Sequence, residues 1–245
     1  MYTEYAKDFI IAVVMLQTRA LYNLLRLNGE REVEDLRPVA TDELFSRLQR
    51  YGIQIEQAAF TQFAEECQSP EELTELLLPD EGEEEDAVYL ILFELWRRIL
   101  PEKPSLSIFC DELDHRIALY DQGVEESDEL IQEALVNLLE VLDQNVDAGA
   151  DPQEVFSAIS DYCAHDLETF LFDYILDLLD SENCLSASEL IEGYSHYIQE
   201  PLWFDFLRAR LLSFTDEKAA QIAIQRILES NPDEDLMQEI ARVLG

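Results

Sequence analysis

Bases are scarce in this chain. Lys and Arg number 16 against 54 Asp and Glu in 245 residues, a formal net charge of −38. Binding DNA or RNA without regard to sequence depends on Lys and Arg neutralising phosphates, so this balance argues against nucleic acid as a partner. Attraction to anionic membrane surfaces is disfavoured for the same reason. Long apolar runs are also missing. The most apolar stretch, Phe9 to Leu16, is far short of the ~20 residues a spanning helix needs. Its flank carries Glu4, Lys7 and Asp8, which lacks the positive n-region of a secretory signal. A location in the cytoplasm, away from membranes, is the expectation.

Glycine is rare and dispersed. Gly29, Gly52, Gly82, Gly123, Gly149, Gly193 and Gly245 never fall within four residues of one another. A phosphate-cradling P-loop, a dinucleotide-binding turn and a nucleophile elbow each need closely spaced glycines, so all three are absent. Cys67, Cys110, Cys163 and Cys184 form no C-x-x-C pair and read as buried free thiols in a reducing compartment. The histidines are His115, His165 and His196. Glu112-x-x-His115 matches half of a carboxylate di-iron motif, and neither other histidine supplies the second half. All three read as partly buried helix residues. The sequence therefore nominates no catalytic residue, no cofactor and no metal ligand set.

What is present is apolar surface and acid. Hydrophobic residues make up 48% of the chain, enough for a core despite the charge. The acid is unevenly placed. Residues 1–50 and 201–245 carry net −1 and −3, while residues 51–200 hold 4 bases and 38 acids, net −34. No Lys or Arg occurs from 117 to 207, so helices there lack the usual i,i+4 ion pairs. Within that span Asp166, Asp173, Asp177 and Asp180 share one helical face, opposite Leu167, Phe170, Leu171, Tyr174, Ile175 and Leu178. Such a row must be solvated, bind cations, or meet bases from elsewhere in the fold.

Helix is the expected state almost throughout. The periodicity predicts helices at Tyr5–Leu27, from Thr41 to Gly52, and from Ile53 to Cys67. Ser69-Pro70-Glu71-Glu72 and Asp151-Pro152-Gln153-Glu154 are capping boxes with Pro at the first helical position. Further helices are predicted near 87–100, 107–122, 127–146, 152–164, 166–180, 187–199, 201–214, 216–230 and 233–244, with little or no strand. The fold class is all-α: ten to thirteen helices packed as antiparallel hairpins in a bundle or short solenoid. One domain spanning 1–245 is expected, with any sub-boundary near 79–86 or 101–105, where Pro and charge interrupt the helices.

Two local resemblances stand out. Asp143 to Glu154 resembles an EF-hand calcium loop, with oxygen ligands at loop positions 1, 3, 5, 9 and 12: Asp143, Asn145, Asp147, Asp151 and Glu154. It departs at position 6, where Ala148 stands for the turn glycine, and at position 8, which is Ala150. The downstream run Asp180 to Glu189 does not complete a pair. A turn followed by a capped helix explains the same residues. Residues 201–234 resemble one tetratricopeptide unit at Phe204, Leu207, Ala220, Ile224 and Pro232, with Arg208 where a small residue belongs. Trp203, Phe204, Phe206 and Leu207 make this helix apolar round most of its surface, as core or as an exposed aromatic patch. The functional expectation is a non-enzymatic acidic interaction module, an adaptor or chaperone-like factor, engaging a basic or amphipathic protein partner. The alternative is a calcium-binding protein using Asp143–Glu154.

Overall fold

The computed structural model describes residues 34–78, 85–103, 105–124 and 127–244. The predicted helix at Tyr5–Leu27 lies outside them. Among the described residues there are twelve helices packed against their neighbours and no strand, as the periodicity predicts. No helix among them is long and apolar enough to cross a membrane.

The chain divides into two compact units, residues 1–131 with 161–164, and residues 132–160 with 165–245. The division falls within a helix, whereas 79–86 and 101–105 both lie inside the first unit.

The first unit contains α1 (Thr41–Arg50), α2 (Gln57–Glu66), α3 (Pro70–Leu77), α4 (Glu85–Ile99), α5 (Leu106–Asp121) and the start of α6 (Ser127–Asp147). Its centre is α4, which buries every residue from Val88 to Trp96. A helix apolar on all sides must be enclosed, and α4 packs on α1 and α3 around Leu44, Leu48, Phe60, Leu73, Leu92 and Trp96. The predicted start of α2 at Ile53 is corrected to Gln57. Ile53 and Ile55 are buried while Gln54 and Glu56 are exposed, and this alternation is met by extended backbone.

One charge sits in this core. Glu94 is 3% exposed. Arg98 donates Nε to it at 2.6 Å and Arg97 donates Nη2 at 2.6 Å. The rest of the Arg98 guanidinium holds the segment before α1, donating to the carbonyls of Leu36, Arg37 and Val39 and to Thr41 Oγ1. Arg37 in turn reaches Asp111 Oδ2 at 2.7 Å and Glu112 Oε2 at 3.1 Å on α5. Lys103 donates to the carbonyls of Ala64 and Glu65 at the end of α2, where the helix dipole favours a cation. Its Nζ also lies 5.5 Å from the Trp96 ring.

The second unit holds the remainder of α6, with α7 (Pro152–Ser160), α8 (Leu167–Asp180), α9 (Cys184–Tyr194), α10 (Pro201–Ser213), α11 (Glu217–Glu229) and α12 (Glu234–Leu244). Two expected limits change: α7 stops at Ser160 rather than 164, and α9 spans 184–194 rather than 187–199. The turn after α9 is fixed by Tyr197, which is buried and donates to Asp143. The α10–α11 hairpin turns on Phe214, Thr215 and Asp216 and buries Phe204, Leu207, Ala220 and Ile224. Arg208 does not obstruct it. It faces outward, paired with Asp205 at 2.8 Å, and Ala209 takes the buried position beside it.

Removing Arg98 leaves Glu94 to Arg97 alone and deprives the carbonyls of Leu36, Arg37 and Val39 of this donor, and a buried polar group left without a partner costs about 1–3 kcal/mol. Arg98→Ala should lower unfolding free energy by about 3 kcal/mol, more than an exposed control such as Arg208→Ala, as read from urea denaturation followed by circular dichroism. Equal midpoints for the two variants would show that Arg98 does not hold the segment before α1.

Candidate functional site

The acidic face of α8 forms as the spacing predicts. Asp166, Asp173, Asp177 and Asp180 are exposed, and Leu167, Phe170, Leu171, Tyr174, Ile175 and Leu178 are buried. Asp166 is the N-cap, accepting from the Glu168 and Thr169 backbone N–H groups at 3.1 Å. At the far end, bases from distant sequence arrive. Arg210 donates to Asp180 Oδ1 at 2.5 Å, and Arg242 Nη2 lies 4.0 Å from Asp180 Oδ2.

Beside this face runs a groove of about 750 Å³ lined by α8, α10 and α12. Of its apolar lining residues Trp203 is half-buried, while Phe172, Leu176 and Phe204 are buried. Six carboxylates line it as well, from Asp166, Glu168, Asp173, Glu200, Asp235 and Glu239, against one base, Arg242. Arg242 is held by Glu239 through Nη2 at 2.6 Å and Nε at 3.0 Å. That contact, with the nearby Asp180 and Asp177, raises its already high pKa. Glu168 Oε1 accepts the Glu200 backbone N–H at 2.9 Å and so fixes the start of α10.

Of the two expectations for the 201–214 helix, core is the one the structure meets at Phe204, Phe206 and Leu207. Phe204 is 1% exposed and belongs to the core. Trp203 is half-buried and lines the groove. Its indole donates Nε1–H to Asp233 Oδ2 at 3.1 Å, and Phe172 meets it edge-on at 4.4 Å between centroids. Asp233 also accepts the Leu236 backbone N–H at 2.7 Å, so one carboxylate caps α12 and orients the indole. The sequence marks Asp166, Asp173, Trp203 and Phe204. It misses Glu200, Asp235, Glu239 and Arg242, because only tertiary packing brings 166–176, 200–204 and 235–242 together.

The EF-hand-like residues are arranged otherwise. α6 continues through Asp143, Asn145 and Asp147, where a calcium loop would already have left the helix. Asn145 Nδ2 donates back to the Val141 carbonyl. Gly149, at φ 103°, then lets Ala150 N–H return to the Asn145 carbonyl at 3.2 Å, a Schellman-type helix stop. Asp151 Oδ1 accepts from Gln153 and Glu154 N–H as a helix cap. Asp143 accepts the Tyr197 hydroxyl at 2.5 Å. Among the described residues no group of three or more His, Cys, Asp or Glu is disposed to hold a metal ion.

His115 is half-buried on α5, His165 half-buried in the turn before α8, and His196 exposed in a turn beside the Tyr197 ring. Only His115 is thus a helix residue. Glu112 is pushed up by burial but held below the usual carboxylate range by Arg37 and Arg116. All four cysteines are free, as expected, but only Cys67 and Cys110 are buried as whole residues; Cys163 and Cys184 are half-buried. A hydrogen bond with Cys110, burial and nearby Asp114 push the Cys163 thiol well up, so it is a poor nucleophile.

No protein-family model matches this chain, and no curated protein or solved structure matches it.

Two outcomes follow. Burial first, and then Asp143, raise the Tyr197 phenol above its ordinary value. A raised tyrosine stabilises the fold fully below about pH 10, its unfolded value, and that contribution is lost as pH rises beyond it. Denaturation between pH 8 and 11 should therefore show a stability loss that Tyr197→Phe reduces. The geometry at 143–154 also predicts that CaCl₂ and MgCl₂ raise the melting temperature alike at equal concentration, by neutralising mutually repelling carboxylates. A rise specific to calcium would restore Asp143–Glu154 as a ligand loop.

Proposed function

We propose that this chain is a non-enzymatic interaction module whose second unit engages a basic, amphipathic segment of a protein partner. The observation that carries this is the groove itself: the half-buried indole of Trp203 beside six carboxylates and a single base. Apolar surface drives association without direction. Carboxylates around it admit cations, repel acidic competitors, and steer a basic segment towards contact.

The chemistry of the lining supports binding over catalysis. Asp166, Asp173, Glu200 and Asp235 are exposed, not enclosed in the apolar surroundings that turn a carboxyl into an acid catalyst. Glu168 and Glu239 are engaged in holding α10 and Arg242. The one hydroxyl in the lining is Thr169, and no His lines the groove to activate it as a nucleophile.

The test uses the full chain and two synthetic helical peptides of about 15 residues. Both have a leucine face, with lysines on the other face of one and glutamates in the other. The lysine peptide should bind, and binding should weaken at least tenfold between about 0.1 M and 1 M salt, as the Debye length falls from about 10 to 3 Å. Asp173→Asn with Asp235→Asn should weaken it about fivefold at the lower salt, read by calorimetry. Equal binding of the glutamate peptide, or indifference to salt, would overturn the reading.

A further inference from the structure

Resting on that reading, we infer that the groove selects arginine over lysine in its partner, and that Trp203 is the residue that does so. Trp203 is the half-exposed indole of the lining, while the second tryptophan, Trp96, is fully buried in the first unit. Its ring is locked on two sides. The Nε1–H is held by Asp233, and Phe172 packs edge-on with the planes at 81°. An indole fixed in this way is a rigid platform that loses little freedom when a ligand settles on it.

Carboxylates of Asp166, Glu168, Asp173, Glu200 and Asp235 line the same groove as that platform. A lysine ammonium is compact and strongly hydrated, and satisfies a carboxylate as a point charge. An arginine guanidinium is planar and weakly hydrated. It can lie on an aromatic face while its edge donates to carboxylates. Lysine can also meet an indole and oxygen acceptors together, as Lys103 does at Trp96, but only the guanidinium lies flat on the ring while its edge donates in plane to two carboxylate oxygens. Arg242 shows that a guanidinium fits this lining, since the chain places its own there, paired with Glu239.

The measurement compares an arginine peptide, of the leucine-faced pattern described above, with its lysine counterpart on the full chain. Tryptophan emission is the readout, because Trp96 is enclosed and a change on binding reports Trp203. The arginine peptide should shift or quench the emission and bind about fivefold more tightly than the lysine peptide. Trp203→Leu, which keeps an apolar side chain without the aromatic face, should bring the two affinities together while salt dependence persists. Circular dichroism confirms that this variant folds, and the emission change in the unaltered chain is an independent check. Equal affinities for the two peptides in the unaltered chain, with salt dependence intact, would overturn arginine selection and leave the proposed function standing. Failure of both peptides to bind would overturn both. A preference for arginine that survives Trp203→Leu would remove Trp203 from the role.

Discussion

Repulsion among carboxylates is the constraint under which this protein folds. With 54 acids and 16 bases, a base used to decorate a surface is one fewer to hold the interior. The four bases between residues 51 and 200 are Arg97, Arg98, Lys103 and Arg116, and all four bind within the first unit. Arg97 and Arg98 neutralise buried Glu94. Lys103 closes the end of α2, and Arg116 joins Glu112 to the Leu130 carbonyl. Arg98, Lys103 and Arg116 make contacts that link separate segments, while Arg97 holds Glu94 within α4. Most surface ion pairs contribute little to stability, so placing scarce cations against buried carboxylates and backbone carbonyls is their most effective use.

The same imbalance shapes the helix ends. Acids are abundant and suit N-termini, where Asp151, Asp166, Asp216 and Asp233 accept backbone N–H groups. C-termini prefer cations, and the last turns of α5 through α9 contain none. Backbone geometry closes several of these ends instead. Val124, Ala150 and Asn183 each return an N–H to a carbonyl five residues earlier. The residue before Asn183 is Glu182 at φ 60°, a conformation glycine would adopt without strain.

Local signals were legible in the sequence, and sites assembled from distant residues were not. Ser69 and Asp166 mark helix starts because a cap involves residues three apart. The acid row on α8 is legible because helical period alone places it. The limits of α9 are not, because they depend on Tyr194 and Tyr197 reaching Leu135 and Asp143 on α6, more than fifty residues away. The calcium-loop pattern shows the converse hazard. In so acidic a chain, Asp143, Asp147 and Asp151 fall at ligand spacing although the backbone around them is a helix, its stop and the next cap.

The groove lies where these two economies meet. α8 has no base of its own, and Arg210 and Arg242 reach its Asp180 at one end. Towards the other end, Glu200 and Asp235 add carboxylates from α10 and α12 to those of Asp166, Glu168 and Asp173. Packing acids together in the free protein raises its energy, and a cation that enters relieves that repulsion as well as forming its own contacts. Under the proposed reading, part of the binding free energy is therefore stored in the unbound fold. High salt would diminish both the stored repulsion and the new attraction. The indole of Trp203, held by packing and one hydrogen bond, is far less sensitive to salt. Strength and selectivity would then rest on different forces in one groove: carboxylates set how tightly a basic segment is held, and the aromatic face sets which cation it must carry.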